Sequence, residues 1–152
     1  MRFGIGDHLP NFSLGDQNGN QQSTSSLQGH WLVLFFYPKD ETPGCTAEVC
    51  SFRDNKDVFK GLNAKIWGVS GDDAISHRRF ADRHKVPFPL LCDRNNSLRR
   101  QMGVAKGLGF LLPGRVTYVV DPTLVIRHIF SNLLDGPAHV REAERVLKAL
   151  QL

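Results

Sequence analysis

Cysteine is scarce in this chain, with three in 152 residues, an odd number and too few for the disulfide framework of a small secreted domain. In a reducing compartment such isolated cysteines more often serve catalysis or redox work. No Cys-x-x-Cys or His-x-x-x-His spacing occurs among the three cysteines and six histidines, so neither a zinc site nor any other metal or bound cofactor is expected. No run approaches the roughly 20 apolar residues of a membrane span. No secretory signal is read in Met1 to Gly4, which leads straight into polar sequence, so the expected location is cytoplasmic, or an organelle stroma if a transit peptide has been removed. The net charge of +4 and pI near 9.2 come from scattered Lys and Arg, with no basic run interleaved with aromatics, and neither nucleic acid nor membrane is an expected partner. Linkers, internal repeats and low-complexity segments are also missing. Hydrophobic content of 41% and charged content of 22% describe an ordered globular chain, expected to form one domain over residues 1–152 around a core of its own.

What is present converges on one stretch. Trp31 to Tyr37 is a continuous apolar and aromatic run, the right length for a strand buried on both faces. Pro38 to Cys50 follows, and then Phe52, Val58, Phe59 and Leu62 recur at roughly helical spacing. Thr42-Pro43 reads as an N-cap followed by proline at the first helical position, where its missing N–H costs nothing. Cys45 therefore falls in the first turn, where unpaired backbone N–H groups and the positive end of the helix dipole favour a thiolate over a thiol. It is the candidate nucleophile. Cys50 lies five residues on, roughly 7.5 Å along an intact helix and on a different face, whereas disulfides seldom span more than about 7 Å between α-carbons. If the two pair, the first turns must unwind. The spacing predicts a redox switch rather than a permanent staple.

The remaining elements read as a scaffold. Asn11 to Leu14 and the turn signal Asp16 to Asn20 suggest an N-terminal β-hairpin, and Ser23 to Gly29 a loop or single helical turn. Ile66 to Val69 is a strand, Ala74 to His84 a helix ending before Val86-Pro87, Pro89 to Asp93 a short strand, and Ser97 to Met102 a short helix stopped by Gly103. Lys106 to Gly114 is too broken for a regular element and unusually apolar for a loop. Val116 to Val120 and Leu124 to Phe130 form an antiparallel pair around Asp121-Pro122-Thr123, and Pro137 opens a last helix to about Leu150 with Val140, Ala143, Val146, Leu147 and Leu150 on one face. A βαβ unit followed by a ββα unit predicts an α/β fold of thioredoxin-like type, a central mixed sheet flanked by helices.

With Tyr37-Pro38, Thr42-Pro43-Gly44-Cys45-Thr46 and Cys50 in place, the chain resembles a peroxiredoxin, and more narrowly the peroxiredoxin Q or bacterioferritin comigratory protein group. The likeness runs almost the full length, through Gly68 to Asp73, Ser76-His77, Pro87-Phe88 and Leu112 to Asp121, and is nearest the plant and cyanobacterial branch. The resemblance implies a thiol peroxidase acting on hydrogen peroxide and organic hydroperoxides. Cys45 would be the peroxidatic cysteine, Cys50 the resolving one, Arg115 the active-site arginine, Thr42 a further polar contact, and Pro38 a shield against water. It also implies reduction by thioredoxin or a similar dithiol, and a monomer, although the apolar loop 108–112 leaves a dimer open. Physical chemistry supports the assignments: fixed donors aimed at the oxygens of a peroxide lower the barrier to thiolate attack, and the Thr42 hydroxyl, the Cys45 backbone N–H and the Arg115 guanidinium are suited to that, Arg115 staying charged at any relevant pH.

Two other readings compete. A general thiol-disulfide oxidoreductase would ordinarily carry Cys-x-x-Cys, which is missing. A redox-gated binding or chaperone module would use Cys45 and Cys50 only to gate local unfolding. Cys92, at a strand end beside Asp93, reads as a bystander, Tyr37 as a core aromatic, and His77 and His84 as solvated or capping residues.

Overall fold

The computed structural model describes residues 3–104, 106–107 and 112–152. Its centre is a five-stranded mixed sheet in the order β5-β4-β3-β8-β9, where β3 is Trp31–Phe36, β4 Ala64–Ser70, β5 Leu90–Cys92, β8 Val116–Val120 and β9 Ile126–Ser131. β3 pairs parallel with β4, and β4 with β5, while β3–β8 and β8–β9 are antiparallel. Two small hairpins stand apart from it: β1 Ser13–Gly15 with β2 Gln21–Ser23, and β6 Lys106–Gly107 with β7 Leu112–Pro113.

The period-two alternation of β3 divides the core in two. Val33, Phe35 and Tyr37 point to one face, where they meet Cys45, Val49 and Phe52 of helix α1 (Pro43–Asp54), Phe59 of α2 (Lys56–Gly61), Phe80 of α3 (Ala74–His84), and Val140, Ala143 and Leu147 of α5 (Gly136–Leu150). Leu32, Leu34 and Phe36 point to the other, against Leu27 of a short 3-10 turn (Thr24–Leu27) and Leu98 and Met102 of α4 (Ser97–Met102). The order βαβ then ββα, with helical cover on both faces, is the architecture expected from the sequence. No described helix is long and apolar enough to cross a membrane.

The structure departs from expectation at two places. The apolar repeat Phe52, Val58, Phe59, Leu62 does not belong to one helix, because the chain breaks at Asn55, where the side-chain amide donates to Ser51 O at 2.8 Å. That bond competes with the ladder, as Asn side chains do. The segment 106–114, read as too broken for a regular element, contains the antiparallel pairs Lys106↔Pro113 and Gly107↔Leu112. Proline fits there because a two-strand ribbon leaves one side of each strand unpaired. Of the apolar loop read at 108–112, residues 108–111 lie outside the described residues.

Candidate active site

The parallel β3–β4 connection places the loop after β3, and α1 after it, at the carboxyl end of the central strands, where ligands gather in open α/β sheets. Thr42 is the N-cap of α1, with extended backbone (φ −81°, ψ 149°), and Pro43 follows at the first helical position. The Thr42 hydroxyl, expected as a donor toward the peroxide, does not cap the helix and has its one hydrogen engaged by Lys39 O at 2.9 Å, which leaves it an acceptor. Among the described residues no side chain therefore occupies the N–H groups of Gly44 and Cys45, which helix geometry leaves without intrahelical partners. Cys45 is buried, Cys50 half-buried, and the two are unbonded on a continuous helix.

Arg115 reaches this thiol from 70 residues away. It sits just before β8, and its neighbours in register with β3 carry it to the same sheet end as Cys45. Its Nη2 donates to Cys45 Sγ at 3.5 Å, Nη1 to Glu48 Oε1 at 2.6 Å, and Nε to Leu133 O at 2.9 Å. Three bonds in three directions fix the planar guanidinium. Gly44 makes the approach possible, since a Cβ there would stand 3.1 Å from Arg115 Nη2. Burial works against the Arg115 charge, but Glu48 and Cys45 more than restore it and hold its pKa above the ordinary arginine value.

Glu48 is the residue that sequence reasoning missed. It lies three positions after Cys45, hence on the same face of α1, and is completely buried. Burial pushes its carboxyl up to about 8, outweighing the opposing pull of Arg115. Its Oε2 has no hydrogen-bond partner among the described residues and stands 3.7 Å from His139 Nδ1. His139 donates from Nε2 to Asn132 O at 2.7 Å, and its Nδ1 is hydrogen-bonded with the Thr117 hydroxyl at 2.8 Å. Its pKa is lowered to about 4, first by burial and also by Arg115. Arg115 thus stands between two buried groups, the Glu48 carboxyl and the Cys45 sulfur, and donates to both. The N-terminus of α5 packs closely on α1 here: a Cβ on Gly136 would lie 2.7 Å from Glu48 Cβ and 2.8 Å from Gly44 O.

A second buried network holds the loop upstream of Cys45. Asp40 accepts from the Tyr37 hydroxyl at 2.6 Å, from the Ser76 hydroxyl at 2.9 Å, and from His77 Nδ1 at 2.6 Å. His77 Nε2 donates to Leu91 O at 2.9 Å, so both ring nitrogens face oxygen. Tyr37 is thus a core aromatic with a bonded hydroxyl, whose pKa burial and then Asp40 drive well above the ordinary value. His77, read as solvated or capping, is instead completely buried on α3, because Asp40 supplies a partner that spacing along the helix cannot reveal. Asp40, Asp72 and His77 bring three potential ligand atoms within 4.8 Å, but these groups are turned on one another, with Asp72 Oδ2 accepting from Asp40 N and the Ser70 hydroxyl.

Cys92 stands apart at the end of β5. Its thiol is pushed up to about 11, first by burial and then by Asp40, Asp73, Asp16 and Asp72, an environment that disfavours a nucleophile. Pro38 is half-buried on the loop between Tyr37 and Asp40.

Comparison with known proteins agrees with this geometry. Residues 5–129 match the AhpC/TSA family. The chloroplastic peroxiredoxin Q proteins of Oryza sativa subsp. japonica and Arabidopsis thaliana are each 44% identical to this chain, over 95% of it and 67% of their own length. Among solved structures, a cysteine-to-serine mutant of PrxQ from Xylella fastidiosa superposes with a TM-score of 0.92 at 31% identity, covering 100% of this chain and 99% of its own. Peroxidoxin BcpB of Mycobacterium tuberculosis gives 0.88 at 34%, over 97% and 98%. Bacterioferritin comigratory protein of Xanthomonas campestris, solved in work on its alkyl peroxide reduction, gives 0.85 at 31%, over 91% of each chain. A thioredoxin-like sheet, a buried cysteine at a helix start, an arginine bonded to its sulfur and these relatives together show that the chain belongs to the AhpC/TSA family and, within it, to the peroxiredoxin Q group of thiol peroxidases.

Proposed function

We propose that Cys45 is the peroxidatic nucleophile and Cys50 its resolving partner in a cycle that runs between a folded and a locally unwound α1. The observation that carries this reading is the 3.5 Å contact from Arg115 Nη2 to Cys45 Sγ, with both side chains buried and 70 residues apart in sequence. The Cys45 thiolate attacks the terminal oxygen of a hydroperoxide, the O–O bond breaks, and the electron pair leaves on the departing oxygen, which takes up a proton. Arg115 and the free N–H groups of Gly44 and Cys45 supply fixed positive charge along the line where negative charge moves. The Thr42 hydroxyl, with its hydrogen bonded to Lys39 O, offers lone pairs to the peroxide O–H. Pro38 lines the approach and limits water.

The Cys45 sulfenic acid then condenses with the Cys50 thiol, releasing water and forming a disulfide. That step requires the first turns of α1 to open, because an intact helix keeps the two α-carbons beyond ordinary disulfide reach. An external dithiol of the thioredoxin class restores both thiols by exchange. Hydrogen peroxide and small alkyl hydroperoxides are the substrate class, the latter in line with the Xanthomonas campestris relative. The 152 residues act as one domain, as a monomer, in a reducing cytoplasm or in an organelle stroma like that of the chloroplastic relatives.

Intact mass after one equivalent of peroxide tests the cycle. Wild type loses two hydrogens as the disulfide forms, Cys50→Ser gains one oxygen, and Cys45→Ser does neither. Stopped-flow peroxide consumption by Cys45→Ser at the wild-type rate would overturn the assignment.

A further inference from the structure

The cycle above uses one buried guanidinium, yet the described residues hold two. Arg99 of α4 is 7% exposed. Its Nη1 donates to Gly114 O at 2.7 Å and its Nη2 to Tyr37 O at 3.0 Å, while its guanidinium carbon stands 5.6 Å from the centroid of the Phe36 ring. These acceptors are not arbitrary. Tyr37 ends the run that leads into Pro38 and on to Cys45, and Gly114 immediately precedes Arg115. Arg99 therefore ties together the two backbone segments whose side chains meet at the sulfur, and it does so from the face of the sheet opposite Cys45, where Phe36 packs.

Its charge has no carboxylate in contact among the described residues. Asp93, the nearest candidate in sequence, accepts the backbone N–H of Leu98 at Oδ1 (2.7 Å) and of Arg99 at Oδ2 (2.9 Å) and makes no side-chain pair with the guanidinium. Arg99 Nε has no hydrogen-bond partner among the described residues. Burying a cation in this way is costly unless an anion lies within electrostatic reach. Two carbonyls and an aromatic face offset part of that cost. Burial lowers the Arg99 pKa, the charges of Asp93, Cys45 and Tyr118 oppose that in turn, and Arg115 pushes it down again, so the groups acting on Arg99 include both Cys45 and Tyr118.

We propose that Arg99 is a second positioning residue for the peroxidase reaction: it sets the spacing between the Cys45 loop and Arg115, and its charge favours the Cys45 thiolate from across the sheet. This rests on Cys45 being the nucleophile. A purely structural clamp and a charged one make different demands on the side chain. Arg99→Lys keeps the charge and loses the two-pronged clamp. Arg99→Met keeps bulk and loses both, and Arg99→Gln keeps a donor without charge.

The test is the pH dependence of Cys45 alkylation in the reduced full chain, resolved from Cys50 and Cys92 by peptide mass spectrometry, with circular dichroism as the check on folding. Arg99→Met is expected to move the pH midpoint of Cys45 alkylation up by about one unit. It should slow peroxide reduction at neutral pH by about the corresponding tenfold, with the deficit closing as pH rises. Arg99→Lys should keep the midpoint close to wild type while melting earlier. If Arg99→Met does not fold, Arg99→Gln replaces it with the same expected midpoint. Unchanged midpoints in the uncharged variants, or equal displacement in Arg99→Lys and its uncharged counterpart, overturns the proposal. If Cys45 proved not to be the nucleophile, Cys45→Ser would retain activity whatever Arg99 does, so the two failures are distinguishable.

Discussion

Replacing Glu48 by Gln gives a direct reading of the cost stored beside the sulfur. Burial lifts the Glu48 carboxyl from 4.5 to about 8. An acid whose folded-state pKa is raised stabilises the fold fully below its unfolded value and loses that contribution as pH rises through the folded one. The sensitive window therefore opens near 4.5 and closes just above 8. At about 1.36 kcal/mol per unit the full swing is on the order of 5 kcal/mol, of which about 3 kcal/mol falls between about pH 5.5 and about pH 8. Urea unfolding of the reduced protein at those two pH values, for wild type and Glu48→Gln, isolates it, because every other titrating group is common to both chains. Wild type should lose about 3 kcal/mol more than the variant across the interval. Glu48→Gln cannot ionise, still offers an oxygen to Arg115, and should be the more stable protein at the upper pH. Parallel pH dependences for the two proteins would show that Glu48 does not carry the strain assigned to it. Since Glu48 lies between Cys45 and Cys50, the same titration should set how readily α1 opens, and disulfide formation should lose part of its rise with pH in Glu48→Gln.

Other outcomes follow from particular contacts. Gly136→Ala would force a Cβ to within 2.7 Å of Glu48 Cβ and 2.8 Å of Gly44 O, so α5 must retreat from α1, at about 1–3 kcal/mol of stability by thermal unfolding and with slower peroxide reduction. Tyr37→Phe removes the 2.6 Å donor to the buried Asp40 Oδ1 and should cost about 1–3 kcal/mol, readable in the same melt. Cys92→Ser should leave stopped-flow peroxide kinetics unchanged, since a thiol held near 11 contributes almost no thiolate at neutral pH. Amide exchange over residues 43–52 should accelerate on oxidation, and equal protection in both redox states would count against unwinding.

The architecture was legible because hydrophobic periodicity and turn chemistry speak locally. Trp31 to Tyr37 reads as a buried strand, Thr42-Pro43 as a helix start, and Gly103 and Pro137 as punctuation, each without reference to anything distant. Cys45 and Arg115 were legible through motif, and the fold supplies the 3.5 Å between them. Glu48, Asp40, His77 and Arg99 were not. A charged residue on an amphipathic helix reads as a solvated one, and nothing along the sequence tells that Glu48 is wholly buried or that Asp40 lies 2.6 Å from a histidine 37 positions away. Polar burial is decided by partners, and partners are tertiary. Asn55 taught the complementary lesson, a single side-chain bond to Ser51 O ending a helix that the apolar spacing would have continued.

The anchorage of Asp40 bears on the tempo of the proposed cycle. His77 and Ser76 hold it to α3 and Tyr37 holds it to the end of β3, and none of these lies between the two cysteines. On the other side Phe52 is stacked on Phe35 with ring centroids 4.5 Å apart. Melting of the first turns is thus bounded at both ends, leaving about ten residues to close between fixed points, for which the entropy cost is small and the closing time far below a millisecond. In the proposed cycle, reset after reduction is therefore expected to be a local closure of this stretch rather than a refolding of the domain.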